Sequence, residues 1–388
     1  MTEFRHTTVY REPGVFAGWP ANHGLWQRDG RILVGFETGA MDVQGGFHAI
    51  DRRSPVRVMI ADTDDGGEEW DCWEAIGKLE LRDNRLGITQ QDTDAAEKDC
   101  EYSYVGGSPG EFHRGLFKAR MLDINRGQSY WNISYDRGLS WQGPYAFPDI
   151  IYDQPIVGRV GFSARTSYLT YANDPKRCLA FMSASKSSDN REGQPFCIET
   201  RSGGYTWEFV SWIDDVPKHC FGIMPSVVRL QNGSVICAVR WRERDFEHKY
   251  GTEDDPFEAG IVVYRSDDEC RMWQMISVPV KGLMRSGNPP DLVQLQDGTL
   301  ILVYGWRGAI RGSQTAGRDL KYGILYQVSI DEGKTWSEPQ PIRQGAGCAD
   351  MGYTRSAVRQ DGKIVSAYYW NDSRDSERYI AATIWEPN

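Results

Sequence analysis

The chain has 388 residues, with 44 Lys and Arg against 54 Asp and Glu, a formal charge of −10, and 12% aromatic residues. That acidic balance disfavours nucleic acid and anionic membranes as partners, and no apolar run is long enough to span a bilayer. Eight cysteines without C-x-x-C spacing argue against a zinc site or a disulfide framework, so neither a metal nor a cofactor is expected.

The first ten residues, "MTEFRHTTVY", contain no apolar h-region. They predict a cytoplasmic protein, or a secreted or periplasmic one whose leader has been removed. The following "TTVYRE" reads as a strand and is expected to pair with the last strand, in "YIAATIW", closing a ring and removing exposed sheet edges. Next comes "RDGRILVGF", an Asp-Gly turn leading into alternating apolar and β-branched residues, which is a hairpin signal. The same phrase returns as "QNGSVICAV", "QDGTLILVY" and "QDGKIVSAY".

Between these phrases stands a second repeat. "TDDGGEEW", "SYDRGLSW" and "SIDEGKTW" keep Ser or Thr, Asp, Gly and Trp at fixed spacing. "TRSGGYTW" has Ser202 in place of Asp, and "SDDECRMW" has Cys270 in place of Gly. The box tryptophans, Trp70, Trp141, Trp207, Trp273 and Trp336, are separated by 71, 66, 66 and 63 residues, so one unit of about 65 residues recurs. Helical periodicity is absent. Each unit reads as a small antiparallel sheet, and the whole as a single domain over 1–388: an all-β, six-bladed β-propeller, with seven blades as the alternative because 72–114 has room for extra strands. The box itself is a turn staple, with hydroxyl and carboxylate capping backbone N–H groups and Trp packing on the neighbouring sheet. It carries too few carboxylates for a calcium loop.

Repeated S-x-D-x-G-x-x-W boxes, with "GNPPDLVQLQDGTL" and "GYTRSAVRQDGKIV" in the later units, resemble the sialidase-like superfamily of Asp-box (BNR) propellers over nearly the whole chain. That resemblance implies an arginine triad gripping a carboxylate, a Tyr and Glu pair at the anomeric carbon and an Asp as acid and base. Where an R-I-P phrase would supply the first arginine, this chain has Gly18, Trp19 and Pro20, with Arg11 well upstream. Where the helper Glu would precede a Pro, it has Met224 before Pro225. Arg240 or Arg242 matches the second arginine's neighbourhood, Arg318 the third's, and Tyr353 the nucleophile's; Asp42, His48 and Asp51 lie in the loop where the family keeps its acid and base. The two losses also make the chain similar to propellers that cleave rhamnose–glucuronate linkages with histidine.

Aligning the repeats on Gly30, Gly233, Gly298 and Gly362 places His23, Ser226, Asp291 and Arg355 at equivalent positions, with Ala21, Met224, Pro289 and Tyr353 just ahead. Starts of inner strands crowd a propeller's axis, so Asn22, His23, Asn288, Asp291, Tyr353 and Arg355 are expected to converge. His23 is the candidate for proton transfer, with His48 and His113 behind it. Arg240, Arg242, Arg307, Arg311, Arg318 and Arg355 form a cationic set that an acidic protein would gather only to bind an anion. The predicted partner is an acidic oligosaccharide or polysaccharide, cleaved by an exo-acting glycoside hydrolase; a uronate lyase and a non-catalytic sugar-binding propeller are the alternatives.

Overall fold

The computed structural model describes residues 3–28, 30–44, 46–75, 116–123, 128–147, 162–186, 191–214, 220–244, 257–283, 287–308 and 321–387. The fold is an all-β propeller. Strand β1 (Arg5–Tyr10) precedes a first blade made of β2 (Val15–Gly18), helix α1 (Pro20–His23), β3 (Leu25–Arg28), β4 (Arg31–Ala40), β5 (Arg57–Thr63) and β6 (Asp71–Glu74). Both β2 and β3 pair with β4, so they are one inner strand interrupted by α1. Then come β7 (Leu116–Asp123), β8 (Gln128–Ser134) and β9 (Gln142–Ala146) as a three-stranded sheet.

Three blades of uniform order follow. They are β10 (Phe162–Thr170), β11 (Cys178–Lys186), β12 (Arg191–Thr200) and β13 (Glu208–Trp212); β14 (Cys220–Arg229), β15 (Val235–Arg244), β16 (Phe257–Ser266) and β17 (Gln274–Leu283); and β18 (Pro290–Gln294), β19 (Leu300–Trp306), β20 (Gly323–Ser329) and β21 (Gln340–Gln344). The last comprises β22 (Gly352–Val358), β23 (Ile364–Trp370) and β24 (Tyr379–Trp385), to which β1 adds its fourth strand, Arg5 opposite Ile384, as the ring-closure expectation required.

Five of these sheets are therefore complete blades of four or more strands. The expected six blades, with seven as the alternative, are corrected to five, because β7, β8 and β9 make up only three strands among the described residues. The box joins β8 to β9, which marks them as the third and fourth strands of their unit. The segment 76–115 ahead of β7, which held the room for extra strands, lies outside the described residues.

The boxes explain why the repeat is written as it is. In the last one, Ser329 Oγ donates to Asp331 Oδ1 at 2.8 Å, Gly333 N donates to Ser329 Oγ at 2.9 Å, and Thr335 N donates to Asp331 Oδ1 at 2.9 Å. Trp336 then donates Nε1–H to Ser277 Oγ on the preceding blade, and Trp273 donates likewise to Ser211 Oγ. Where Gly is replaced, Cys270 itself takes φ 66° and still donates its N–H to Ser266 Oγ. Each box connects third to fourth strand at the rim. The inner strands β10, β14, β18 and β22 adjoin one another in that order, and α1 lies against β22, β10 and β7 at the centre. Among the described residues, no helix is long and apolar enough to cross a membrane.

Candidate functional site

The inner strands are broken at matched places. The register slips between Ala164 and Tyr168 in β10, between Ile223 and Ser226 in β14, and between Gly352 and Arg355 in β22. The residues that open these bulges are Arg165, Met224 and Tyr353. Met224 and Tyr353 each sit at φ 55°, a conformation that costs a non-glycine residue about 1 kcal/mol or more. A bulge re-aims a side chain that the sheet would otherwise point along its pleat, and here Ala21, Ile223, Met224 and Tyr353 meet in one small apolar cluster.

Tyr353 is partly buried and stands among three arginines. Burial alone would raise its phenol pKa, but the charges of Arg240, Arg307 and Arg165, with a hydrogen bond from Arg240, pull it below the ordinary value of 10. Arg307 is buried and fixed by its neighbours: Nη1 donates to Gly287 O, Nη2 to Met351 O and to the Tyr369 hydroxyl, and its guanidinium carbon lies 5.6 Å from the Tyr353 ring centroid. Arg240 is buried with Nη1 3.7 Å from the Met224 thioether. Arg165 donates Nε–H to Asn22 Oδ1 at 3.0 Å.

Of the residues expected to converge, Asn288 meets Tyr353, Arg355 meets Asp291, and Asn22 meets Arg165. Asn288 is fully buried and accepts the Tyr353 backbone N–H at 2.9 Å; it packs so tightly on Gly352, φ 105°, that a Cβ there would lie 2.4 Å from its Oδ1. Arg355 donates from Nη2 to Ala21 O and Thr166 O, and from Nη1 to Asp291 Oδ1 at 3.4 Å. This pair is buried, and burial lifts Asp291 to about 6 despite the Arg355 charge. Both residues tie α1, β10, β18 and β22 together, which makes them braces of the site. Arg242 lies on the same strand as Arg240, its guanidinium carbon 5.5 Å from the Phe221 ring.

His23 goes elsewhere. Helix α1 turns its imidazole onto β4, where Nε2 lies 3.1 Å from Glu37 Oε1 with both side chains 0% exposed. Gly35 is required beneath it, since a Cβ there would meet His23 Cβ at 2.8 Å. His23 is therefore set under α1 against Glu37.

His48 is the histidine beside Tyr353. Its ring stands edge-on to Tyr353 at 6.4 Å and to Trp19 at 5.2 Å, with its side chain 20% exposed. Nδ1 lies 2.7 Å from Asp350 Oδ1. Asp350 is buried and also accepts bonds from the Tyr369 hydroxyl, Ala49 N and Arg378 Nε. Burial opposes its ionisation, but these donors hold its carboxyl at about 2. An ionised carboxylate can only accept, so the His48 proton sits on Nδ1. Burial lowers the His48 pKa more than Asp350 raises it, so near neutral pH the imidazole is uncharged and Nε2 carries a lone pair.

The two acids of that loop are occupied locally. Asp51 accepts from Arg53 N, Arg53 Nε and Ser54 Oγ, which hold it at about 2. Asp42 accepts the Gln44 N–H. His113, Arg311 and Arg318 lie outside the described residues. Arg165, Asp350, Tyr369 and Arg378 had no place in the sequence reading. Arg165 is missed because its repeat turns through "YANDPKR", without the glycine used for alignment; Asp350 precedes its strand in "GCADMGY" and meets His48 across 302 residues of sequence. Among the described residues, no group of three or more His, Cys, Asp or Glu side chains is placed to hold a metal ion.

No protein-family description and no curated protein matches this sequence. Solved structures do. A Dyadobacter fermentans protein of unknown function is similar over 99% of both chains at 17% identity and a TM-score of 0.67. The NanB sialidase of Streptococcus pneumoniae matches 98% of this chain and 70% of its own at 12% identity, TM-score 0.60. The α-L-arabinanase of Penicillium chrysogenum matches 99% and 98% at 14% identity, TM-score 0.56. At such identities the likeness is one of fold, and the structural neighbours include glycoside hydrolases.

Proposed function

We propose that this propeller is an exo-acting glycoside hydrolase that cleaves a glycosidic bond at or next to a carboxylate-bearing sugar. The observation that carries the reading is the triangle of Arg165, Arg240 and Arg307 around a Tyr353 phenol whose pKa they depress. Guanidinium forks suit a sugar carboxylate, and a phenolate oxygen suits the positive charge that develops at an anomeric carbon. In this reading Tyr353 attacks that carbon, its proton passes to Nε2 of neutral His48, and the resulting imidazolium protonates the departing oxygen. His48 then takes the proton of the water that releases the glycosyl–tyrosine intermediate and returns it to the departing Tyr353 phenolate, while Asp350 holds the ring's other proton on Nδ1 throughout. Asp42 remains a further acid candidate from the same loop.

A second reading has its own observation behind it. A neutral His48 beside a phenol held below its ordinary pKa offers two candidate bases for abstraction of a proton next to a uronate carboxylate, so a lyase would use the same residues. Mass spectrometry of products from sialylated, uronate-terminated and rhamnose-capped oligosaccharides separates the two. Fragments that together exceed the substrate by one water support the hydrolase; an unsaturated, ultraviolet-absorbing fragment supports the lyase. Saturable binding without any product would mark a sugar-binding propeller and overturn both.

A further inference from the structure

Phe47 is 44% exposed, a state that needs a reason for so large an apolar side chain. It is seated directly on the groups described above. The Arg307 guanidinium carbon lies 5.1 Å from its ring centroid, and His48 meets it at 4.9 Å and 82°. Its loop is pinned at the base: Met41 bridges to Ile50, Asp51 N donates to Ala40 O at 2.8 Å, and Ala49 N donates to Asp350 Oδ2 at 2.9 Å. Backed by Arg307 and flanked by His48, the ring keeps its open surface toward solvent beside the reacting groups.

An aromatic ring fixed in this way offers a flat apolar face to whatever is attached to the sugar being cut. The C–H face of a pyranose ring fits that chemistry; a small alcohol has no such face. We propose that Phe47 forms a leaving-group subsite that stacks a second sugar ring, so that the substrate is an acidic oligosaccharide or polysaccharide chain. The proposal rests on the assignment of Tyr353 and its arginines to the sugar that is cut.

The test uses the full chain, the variants Phe47→Ala and Phe47→Trp, and two probe pairs, one ending in a hexuronate and one in sialic acid. Each pair is a disaccharide and the methyl glycoside of its acidic sugar. Specificity is read as kcat/KM, and as Kd by calorimetry for any probe that is bound without turnover. The wild type is expected to prefer a disaccharide by about tenfold, the size of one aromatic contact. In Phe47→Ala the ratio of the disaccharide value to the methyl glycoside value falls to about one, whatever the common change in both, and Phe47→Trp retains the wild-type ratio. Equal values for disaccharide and methyl glycoside in the wild type, or an equal loss on both in Phe47→Ala, overturn the subsite. Failure of the cleavage reading looks different: no product forms from any probe, while the disaccharide preference and its loss in Phe47→Ala persist in the binding constants.

Discussion

Replacing Asp350 by Asn keeps the shape of the side chain and removes its charge, which makes it the sharpest probe of the His48 arrangement. Four donors converge on that carboxylate. Holding it at about 2, against an ordinary 3.8, is worth about 2 kcal/mol near neutral pH, at 1.4 kcal/mol per unit. Because the folded value is the lower one, this stability is complete above pH 4 and drains away as pH falls toward 2. The variant lacks it at every pH and leaves the buried Arg378 without its carboxylate, so a total loss of about 3 kcal/mol is expected. A domain with 5–15 kcal/mol in hand still folds. Turnover should fall by about 10²–10⁴, the usual share of a positioned proton carrier. The discriminating assay is the ¹⁵N shift pair of the His48 imidazole. Wild type should show the proton on Nδ1, and the variant a mixture of tautomers. The groups acting on this ring are Asp350, which raises its pKa, and Arg307 and Arg52, which lower it alongside burial; Tyr353 and Tyr369 also face it. Removing Asp350 therefore shifts the acid limb of any pH profile to lower pH. Wild-type turnover with an unchanged tautomer would refute the arrangement.

Tyr353→Phe should lower kcat/KM by at least about 10³ while changing binding of an acidic sugar by no more than a few fold, read by product formation and calorimetry side by side. The ultraviolet difference spectrum between wild type and that variant should show a phenol ionising below pH 10, and Arg240→Gln should move the transition upward. Asp331→Ala should cost about 1–2 kcal/mol by removing a cap from the box turn, lowering Tm with turnover intact. Asp51→Asn should leave turnover within about twofold, since its oxygens serve the turn at Arg53 and Ser54; a large loss would return it to the reaction.

The parts of this fold legible in the sequence are those whose physics is local. A box needs only its own hydroxyl, carboxylate and positive φ, so copies announce themselves even when Cys270 has replaced the glycine. The inner-strand convergence was legible for the same reason: turn glycines set the frame, and Asn288, Asp291, Tyr353 and Arg355 fell into place. His23 shared that frame, and what the sequence did not show is that α1 sets it against Glu37, a partner that depends on β4 lying beneath the helix. Asp350 and His48 find each other only when the ring closes, and no local pattern marks either for the other.

The bulge at Met224 bears on the ionisation of Tyr353. Met224 and Tyr353 occupy the same step of their inner strands, each at φ 55°, and Arg165 opens a wider slip in β10. A glutamate at 224 would set a negative charge beside Arg240 and shield the phenol from it. Met224 instead gives Arg240 a thioether contact at 3.7 Å that adds no charge, and Arg240 leads the charges that pull Tyr353 down. In the proposed reading, the absence of a carboxylate at 224 and the lowered pKa of Tyr353 go together. The proposed reaction then needs a proton carrier other than residue 224, and across the Tyr353 ring stands His48, neutral, with Asp350 fixing its lone pair on Nε2.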